Sequence, residues 1–425
     1  MRKKRNKPKL LYFITEDWYF CSHRLPHAIV ANKAGFDVVV ICNIAKHLNK
    51  IKKHGLRVIP IQLTRRSINP IRELFLLLKL TSIYRKEKPD IVQHVAIKPI
   101  IYGTIAAKLS GITAIFNSIV GLGYIFISKN ILANILKPII KLALKWSLNQ
   151  KNSFTILQNE DDKKFLRKRK IIGLKRLQII PGSGVNTKQF SYSPEPKTTH
   201  KAPLIVCVSR MLWDKGINEL VKATKKLKER NINFKMALIG KPDPENPASI
   251  PLSQIQKWEK MKLIEYWGYV ENIEQVYRKC HIVILPSYRE GMPKSLLEAA
   301  SASRPIITTN VPGCREVVKN QINGILVKVK TVNPLATSMK KLIKNKSIRE
   351  KMGKEGRKII KAKFSEEIIT KQTIFLYKKF YQEMTTLLKY AKNFSIFATT
   401  TLIVVDKRNI KQFLEFFVGV PIGSG

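Results

Sequence analysis

"HIVILPSYREGMPKSLLEAASASRPIITTN" occupies residues 281 to 310 and joins an apolar run, a short loop and a helix-forming run. The apolar run ends at Leu285, and Pro286, Gly291 and Pro293 mark the loop that follows. A strand, a tight loop and a helix in this order are typical of a βαβ unit, in which the loop lies at the carboxyl end of a parallel strand. The stretch therefore predicts a parallel sheet with a ligand site at that end of the strand.

The same alternation of short apolar runs and helical patterns extends to both sides of this stretch. Before it, the predicted strands are "KLLYFIT" (9–15), "FDVVVIC" (36–42), "VIPIQL" (58–63), "DIVQHV" (90–95), "PLIVCVSR" (203–210), "FKMALIG" (234–240) and "IEYWGYV" (264–270). After the 281–310 stretch, which itself ends in the strand "PIITTN" (305–310), the next predicted strand is "GILVK" (324–328). This pattern predicts an α/β protein with two Rossmann-like, doubly wound domains that face each other across a ligand cleft.

A segment rich in Pro, Gly, Ser and Thr, residues 181–203, separates the two series of strands and indicates a domain boundary. We predict one domain over residues 1–185 and a second over 186–365. A helical region, 366–393, is expected to cross back over both domains. Residues 394–425 form a tail whose order the sequence does not indicate.

Basic residues greatly outnumber acidic ones: 78 Lys and Arg stand against 29 Asp and Glu, for a formal charge of +49. Such a charge attracts nucleic acid, anionic lipid headgroups or phosphorylated ligands, although lysines on solvated helix faces are an equally simple interpretation. The sequence contains no basic module with interleaved aromatic residues, which argues against a nucleic-acid binder. Residues 130–148 carry Lys137, Lys141 and Lys145 at four-residue spacing and Trp146 near the end. They form either a basic amphipathic helix for an anionic membrane or an ordinary helix that covers the sheet.

The cysteines and the apolar runs bear on the compartment. Five cysteines are far apart and form no Cys-x-x-Cys pair, which indicates reduced thiols and no zinc site. The basic N-terminus is followed by Glu16 and Asp17, too early for a signal peptide, and no apolar run reaches the length of a spanning helix. We expect a cytoplasmic protein that is at most peripheral to a membrane.

Two carboxylates flank the predicted ligand site. Glu290 lies in the loop and Glu298 in the first two turns of the following helix, where loop N–H groups and the helix N-terminus attract an anion such as a nucleotide diphosphate. A carboxylate beside a bound diphosphate can accept hydrogen bonds from sugar hydroxyls, although both glutamates could instead be surface residues. Arg210 and Lys215 follow the strand at 203–210, where they could grip the same diphosphate.

Arg210, Lys215, "LIG" (238–240) and "LPSYREGMPKSLLEAASASRPIITTNVPGCREVV" (285–318) resemble the family-4 retaining glycosyltransferases of the GT-B fold. The segments "TEDWYFCSHRLP" (15–26), "HVAIKPIIYG" (94–103) and "GLGYIF" (121–126) are similar to the same family. The resemblance runs from about residue 9 to about residue 380 and is strongest to the bacterial branch that builds capsule, O-antigen and lipid-linked glycans.

The resemblance implies a role for each matching residue. Arg210 and Lys215 would hold the donor diphosphate, Glu298 the ribose, and Glu290 the hydroxyls of the donor sugar. The other implied contacts are the backbone of Gly291, Met292, Pro293 and Lys294 near the sugar and phosphate, His94 facing the reacting sugar, and His23, Arg24, Gly121 and Gly123 near the acceptor. The first domain would then bind the acceptor and the second the nucleotide sugar.

The resemblance also implies the partners: a nucleotide sugar, most simply a UDP-sugar, a polyprenyl- or lipid-linked acceptor, and the inner face of the bacterial plasma membrane. No nucleic acid is expected, and the nucleotide sugar is a co-substrate, not a cofactor. The sequence has no Asp-x-Asp pair, and "EDD" at 160–162 has the pattern of a surface turn, so no metal is expected. The alternatives are a GT-B nucleotide-sugar 2-epimerase and a basic nucleic-acid-binding protein.

Overall fold

The structure is a computed structural model that describes residues 7–404 apart from 65–66, 68, 122–130, 174–175 and 197–201. The side chains of 131–135 and 387–404 are likewise outside the described part. The chain divides into two compact units, Met1–Phe375 and Leu376–Gly425. Both sheets belong to the first unit.

The first sheet contains seven strands, all paired in parallel. Its strands are β1 (Lys9–Glu16), β2 (Asp37–Asn43), β3 (Arg57–Pro60), β4 (Ile91–Val95), β5 (Ala114–Ser118), β6 (Ser153–Leu157) and β7 (Leu177–Ile179). The helices in this region are α1 (Asp17–His23), α2 (Leu25–Lys33), α3 (Leu48–Lys52), α4 (Pro70–Glu87), α5 (Ile97–Leu109), α6 (Ile131–Leu148) and α7 (Glu160–Lys168). The strand order β3-β2-β1-β4-β5-β6-β7 reverses direction next to β1, the switch point at which doubly wound sheets bind ligands.

The second sheet contains six parallel strands. They are β8 (Leu204–Val208), β9 (Lys235–Ile239), β10 (Glu265–Gly268), β11 (Ile282–Leu285), β12 (Ile306–Thr309) and β13 (Gly324–Val327). The helices are α8 (Ile217–Lys228), α9 (Leu252–Lys260), α10 (Ile273–Lys279), α11 (Lys294–Ser301), α12 (Cys314–Val317), α13 (Val332–Lys344) and α14 (Lys346–Lys363). The order β10-β9-β8-β11-β12-β13 repeats the first pattern, so the prediction of two doubly wound domains is confirmed.

The apolar runs of the central strands became strands because these strands are covered on both faces. Leu10, Leu11, Tyr12, Phe13 and Ile14 of β1 are all buried, and so is every residue of β11. Strands of a parallel sheet lie between two helix layers and therefore lack the alternation of polar and apolar residues found in half-exposed strands. This burial is why continuous apolar runs were reliable signals of strands in this chain.

The segment between β1 and β2 contains two short helices with a break between them. Helices α1 and α2 meet at Arg24, and Pro26 lies in the first turn of α2. Proline has no N–H to donate to the preceding turn, so it suits the start of a helix but not its interior. The break leaves His23 and Arg24 at the junction of two helices.

The chain returns to the segment between the two sheets before its last helix, α15 (Glu366–Val404), begins. The Val185 N–H donates to the Phe364 carbonyl at 3.0 Å, and the Glu366 N–H donates to the Val185 carbonyl at 2.9 Å. The backbone of α15 continues to Val404, past residue 393, where the sequence analysis placed the start of the tail. The domain limits and the crossing over both halves stay predictions, and residues 405–425 lie outside the described part.

Candidate active site

Two loops meet at the carboxyl ends of β8 and β11. The Tyr288 N–H donates to the Asp214 carbonyl at 2.8 Å, which joins the loop after β11 to the loop after β8. Gly216 has a φ of 71°, and a Cβ atom there would lie 2.1 Å from the Pro286 carbonyl oxygen. Only glycine tolerates both the left-handed backbone and this close approach. The two loops therefore form one surface, on which Arg210, Lys215 and Glu290 are placed.

The predicted diphosphate-binding cations already have carboxylate partners. The Lys215 Nζ lies 2.6 Å from Glu290 Oε1, and both side chains are largely buried. An Arg210 guanidinium nitrogen lies 2.7 Å from Asp243 Oδ2, and the Arg210 side chain is 43% exposed. Asp214, between the two cations in sequence, has its pKa raised by burial, while the charges of Lys215 and Arg210 oppose that rise. Sequence reasoning missed both aspartates because neither belongs to the recognised motif.

Glu298 lies at the back of the same surface, on α11. Its side chain is buried, its Oε2 lies 3.3 Å from the Tyr277 hydroxyl, and its Oε1 lies 3.9 Å from Lys294 Nζ. Burial raises the pKa of Glu298 to about 7, and the Lys294 charge opposes that rise. Because a buried carboxylate gains from further hydrogen-bond donors, this group can accept hydrogen bonds from a ligand's hydroxyls.

The loop from Gly291 to Lys294 leads directly into α11. Pro293 precedes the helix, and no side chain caps the first-turn N–H groups. Such uncapped N–H groups are suited to a phosphate. Met292 is buried against Gly182, in the segment between the sheets, because a Cβ atom on Gly182 would lie 2.7 Å from the Met292 Cγ. The backbone placement predicted for these residues therefore agrees with an anion site at the start of α11.

Residues of the first domain contact the loop that contains Glu290. Asn159 Nδ2 donates to the Gly291 carbonyl at 2.8 Å, and Arg289 forms an ion pair with the buried Asp162. A Cβ atom on Gly291 would lie 2.3 Å from Gln158 Oε1, so the close approach requires glycine. We call Asn159, Asp162, Arg289 and Gly291 the interdomain clasp.

The clasp corrects the interpretation of "EDD" at 160–162. These residues are the first turn of α7, where Asn159 caps the helix by accepting from the Asp162 N–H. Asp162 binds Arg289, and Asp161 Oδ2 accepts from Arg315 Nε at 3.0 Å, so two of the three acids contact the second domain. The prediction of a surface turn is wrong, because a run of acids in sequence does not show whether basic residues of a distant segment face it.

His23 and Arg24 lie close to the start of α11. The Lys294 Nζ donates to the Ser22 carbonyl at 2.5 Å, and this bond joins the two domains. The His23 ring stacks on Tyr19, and its Nδ1 lies 2.5 Å from Ser22 Oγ. Burial lowers the pKa of His23 to about 3, and the charges of Lys294, Arg24 and Arg210 add to that effect. His23 is therefore neutral and lies among positive charges of both domains.

His94 does not lie in the cleft. Its side chain is fully buried, its Nδ1 donates to Asn117 Oδ1 at 2.9 Å, and its Nε2 accepts from the Tyr84 hydroxyl at 3.1 Å. The ring packs against Gly103 of α5, where a Cβ atom would lie 2.5 Å from it. Burial lowers the pKa of His94 to about 4. Both ring nitrogens are occupied by the protein, which contradicts the expectation that His94 faces the reacting sugar.

The nearby residue with an unusual backbone is Ala96, between β4 and α5. Its φ of 83° is a left-handed value, which costs a non-glycine residue roughly 1–3 kcal/mol and is often found at active sites. Gly121, after β5, has a φ of 146°, and the neighbouring Val120 carbonyl oxygen approaches Gly291. Gly123 lies outside the described residues. Ala96, which follows β4, is half-buried, whereas His94 within the strand is fully buried.

Within the described ranges, no group of three or more His, Cys, Asp or Glu side chains is arranged to hold a metal ion. Among the described residues there is also no helix long and apolar enough to cross a membrane.

Comparison with known families assigns both halves of the chain. Residues 9–158 match the family described as "Glycosyl transferase 4-like", and residues 189–359 match the family described as "Glycosyl transferases group 1". The first match covers β1 to β6 of the first sheet, and the second match covers all six strands of the second sheet. The chain belongs to the glycosyltransferases of the GT-B fold and is an enzyme of that class. The two alternatives, a 2-epimerase and a nucleic-acid binder, are set aside.

Individual relatives are bacterial glycan enzymes. The chain is 28% identical over 355 residues to the N,N'-diacetylbacillosaminyl-diphospho-undecaprenol alpha-1,3-N-acetylgalactosaminyltransferase of Campylobacter jejuni, covering 81% of this chain and 91% of the relative. It is 27% identical over 367 residues to the capsular polysaccharide biosynthesis glycosyltransferase CapM of Staphylococcus aureus, covering 83% and 92%. Among solved structures, Anabaena HepE in complex with UDP and glucose has a TM-score of 0.68 at 14% identity, covering 87% of this chain and 99% of that one.

Proposed function

We propose that this glycosyltransferase moves a hexose or N-acetylhexosamine from a UDP-sugar to a lipid-linked or surface-polysaccharide acceptor with retention of configuration. The observation that carries the proposal is the contact of Lys215 with Glu290 at the carboxyl ends of β8 and β11, with Arg210 on the same loop as Lys215 and Glu298 on the helix that follows the Glu290 loop. This set offers cations for a diphosphate and carboxylates for hydroxyls on one surface. The HepE complex with UDP and glucose supports a UDP-sugar as donor.

The residues of the site would act on the leaving group. As the bond between the sugar C1 and the diphosphate breaks, negative charge grows on the diphosphate, and Arg210, Lys215 and the first-turn N–H groups of α11 stabilise it. The acceptor hydroxyl attacks C1 from the same face and passes its proton to an oxygen of the leaving diphosphate. Glu290 orients the donor sugar and Glu298 the ribose. The clasp keeps the Glu290 loop against the first domain, which excludes water from the reaction.

The acceptor side is proposed from the relatives and from the first domain. The C. jejuni relative is named for an acceptor joined through a diphosphate to undecaprenol, and CapM is named for capsule synthesis. His23, Arg24 and Gly121 lie at the carboxyl ends of β1 and β5, on the first-domain side of the Glu290 loop. A lipid-linked acceptor would therefore approach from this side.

Nucleotide release tests the proposal. Incubation of the protein with a panel of UDP- and GDP-sugars, with and without a lipid-linked acceptor extract, should release UDP from one donor and release more of it with acceptor. The Lys222→Met variant, which removes an exposed cation from α8, should behave as wild type. Release of GDP alone would overturn the choice of base, and no release from any donor would overturn the transferase reaction proposed here.

Two helices of the first domain support attachment to an anionic membrane. On α4 the exposed residues Ile71, Leu74, Phe75 and Leu78 form an apolar stripe, and on α6 the exposed apolar residues are Ile139, Leu142 and Trp146. Both helices pack against α5, so the two apolar faces belong to the same side of the sheet. Next to Trp146 lies a groove of about 670 Å³ whose lining includes Lys145, Arg167 and Lys170, which suits an anionic headgroup.

Vesicle sedimentation tests this attachment. We expect the protein to pellet with phosphatidylglycerol vesicles and to remain in solution with phosphatidylcholine vesicles. The double variant Phe75→Ser, Leu142→Ser should bind the anionic vesicles at least several-fold more weakly. Leu252→Ser, which changes an exposed leucine of the second domain, is the matched control. Equal binding by the double variant and the control would exclude this face, and the membrane would then be bound elsewhere or by charge alone.

A further inference from the structure

Arg24 is a buried cation without a partner. Its side chain is 6% exposed, its Nε has no hydrogen-bond acceptor, and no carboxylate contacts its guanidinium in the described part of the chain. Arginine keeps its charge under all ordinary conditions, so it cannot escape the cost of burial by losing a proton. A buried charge that the protein leaves unpaired is strongly unfavourable unless a ligand completes its bonding.

The other two buried arginines of the described chain, Arg304 and Arg349, each donate several hydrogen bonds, including one from Nε. Arg304 is 1% exposed and donates to the carbonyls of Tyr277, Ser193 and Pro194. Arg349 is 4% exposed and forms an ion pair with Glu195 at 2.5 Å. Arg289 shares with Arg24 a buried Nε that has no acceptor, but its guanidinium forms an ion pair with Asp162. Arg24 lacks such acceptors and lies at the helix junction where the first domain meets the second.

The surroundings of Arg24 are positive. Lys294 reaches across from the second domain to the Ser22 carbonyl, two residues away in sequence. Burial lowers the pKa of His23, and the charges of Lys294, Arg24 and Arg210 lower it further, so its ring is neutral. The carboxylate nearest to Lys294 among the described residues is Glu298, at 3.9 Å, and it has the proposed task of binding ribose. Lys294 and Arg210 thus have carboxylate neighbours, whereas Arg24 has none among the described residues, so an anion is needed to complete the bonding of Arg24.

The anion is distinct from the donor diphosphate. Arg210, Lys215 and the start of α11, the groups proposed for that diphosphate, lie on the second domain. Arg24 lies on the first domain, between α1 and α2, where the acceptor is proposed to enter. A guanidinium matches two phosphate oxygens at once, which makes arginine the suitable residue for a diphosphate.

We propose that Arg24, together with Lys294 and His23, binds the diphosphate that links an acceptor glycan to its lipid. The proposal rests on the proposed function, because it assumes a lipid-linked acceptor. Arg24 binds the acceptor at a distance from the bond that forms and takes no part in the chemistry. Lys294 contacts the first domain through Ser22 and belongs to the donor loop, so filling the site with an anion would also hold the two domains together.

Binding of farnesyl diphosphate to the UDP-loaded protein tests the site, since saturating UDP occupies the donor site first. Calorimetry should show one farnesyl diphosphate bound per wild-type chain. Arg24→Gln should weaken that binding at least tenfold, and Arg24→Lys should weaken it less. Lys33→Gln, which removes an exposed cation from α2, should bind as wild type. Because Arg24 is unpaired, its removal relieves a burial cost, and the melting temperature of Arg24→Gln should equal or exceed that of wild type.

Several outcomes would overturn the assignment. Absence of farnesyl diphosphate binding to UDP-loaded wild type would do so, and so would unchanged affinity in Arg24→Gln. A loss of UDP affinity in Arg24→Gln or Arg24→Lys would assign Arg24 to the donor site instead. Inorganic pyrophosphate that binds as tightly as farnesyl diphosphate would show a site for a free anion. Failure of wild type to bind UDP at all would refute the proposed function itself, and this result is separate from the others.

Discussion

The two faces of the cleft treat their cations differently. In the second domain Arg210 and Lys215 each contact a carboxylate, Asp243 and Glu290, so the charge of each cation is compensated before a ligand arrives. In the first domain Arg24 is buried, and no carboxylate of the described residues contacts it. Asp243 and Glu290 hold Arg210 and Lys215 in position. Arg24 has no such partner and can bind an anion. We expect the paired cations, Arg210 and Lys215, to stabilise the charge that grows on the leaving diphosphate in the transition state. We expect the unpaired Arg24 to bind an anion of the acceptor in the ground state.

The clasp joins these two faces. Asp162 and Asn159 of the first domain hold the residues on either side of Glu290, through the Arg289 side chain and the Gly291 carbonyl. The position of Glu290 therefore depends on both domains, although the donor-binding residues all belong to the second. A substitution on one face should accordingly affect nucleotide binding and transfer to different extents.

The largest effect is expected on the paired side. Arg210→Met should slow transfer by about 100- to 1000-fold, because the cation stabilises charge that develops only on the leaving diphosphate. Its ion pair with Asp243 is partly exposed, so the melting temperature should change little. Steady-state transfer rates and a melting curve, with Lys222→Met as control, check this. Lys215→Met should lose as much activity but also stability, since Glu290 would be left buried and unpaired. Proportionate losses of activity and stability in Arg210→Met would mean that Arg210 is structural.

Removal of Glu298 should have the next largest effect and should depend on pH. Glu298→Ala should weaken binding of the active UDP-sugar by about 1–3 kcal/mol, as expected for a hydrogen bond to a charged group. The pKa of Glu298 is raised to about 7, and ribose hydroxyls donate best to the ionised form. Wild-type affinity should therefore rise about tenfold from pH 6 to pH 8, and Glu298→Gln should show no such rise.

Calorimetry at several pH values measures this effect, and the diphosphate diester of a UDP-sugar does not itself titrate in that range. A pH-independent affinity in wild type, or an affinity of Glu298→Ala equal to that of wild type, would contradict a ribose contact.

A smaller effect is expected at the clasp. Asp162→Asn removes the ion pair with Arg289 and should lower kcat/KM roughly tenfold, because Glu290 is no longer held in register with the first domain. UDP affinity should stay the same, since the nucleotide contacts lie in the second domain. Glu160→Gln, on the same helical turn but in an exposed ion pair with Lys163, is the control. Equal losses of UDP affinity and of kcat/KM would show that Asp162 supports the donor site directly.

No effect is expected from removing divalent metals. The cations of the donor surface and the start of α11 supply the charge that a metal would supply elsewhere. Activity should persist in excess EDTA, with at most a modest change due to ionic strength. A complete loss that Mn²⁺ restores would show that the leaving group is stabilised by a metal and that Arg210 and Lys215 have been misassigned.

The local structure around Glu290 and Glu298 follows from the sequence because these residues are close together in the chain. Gly291 and Pro293 fix the loop, and Glu298 follows it by a defined number of helical residues, so local pattern determines their relative placement. His94 shows where such reasoning fails. His94 is also a polar residue near the end of a strand. Its ring, however, forms hydrogen bonds with Tyr84, which precedes β4, and with Asn117, which follows β4.

The sequence by itself determined the two parallel sheets, the family and the Glu290 loop, because burial on both faces and the φ requirements of glycine and proline act on neighbouring residues. Only the tertiary structure decided which acids face which bases. Asp162 meets Arg289 and Lys294 meets Ser22 across the cleft, whereas Arg24 meets no carboxylate among the described residues. These pairings depend on how the two sheets pack against each other. The sequence shows which residues are charged, but it does not show the distances between their side chains. The physical reason is that Coulomb energy depends on separation in space and on burial, neither of which follows from separation along the chain.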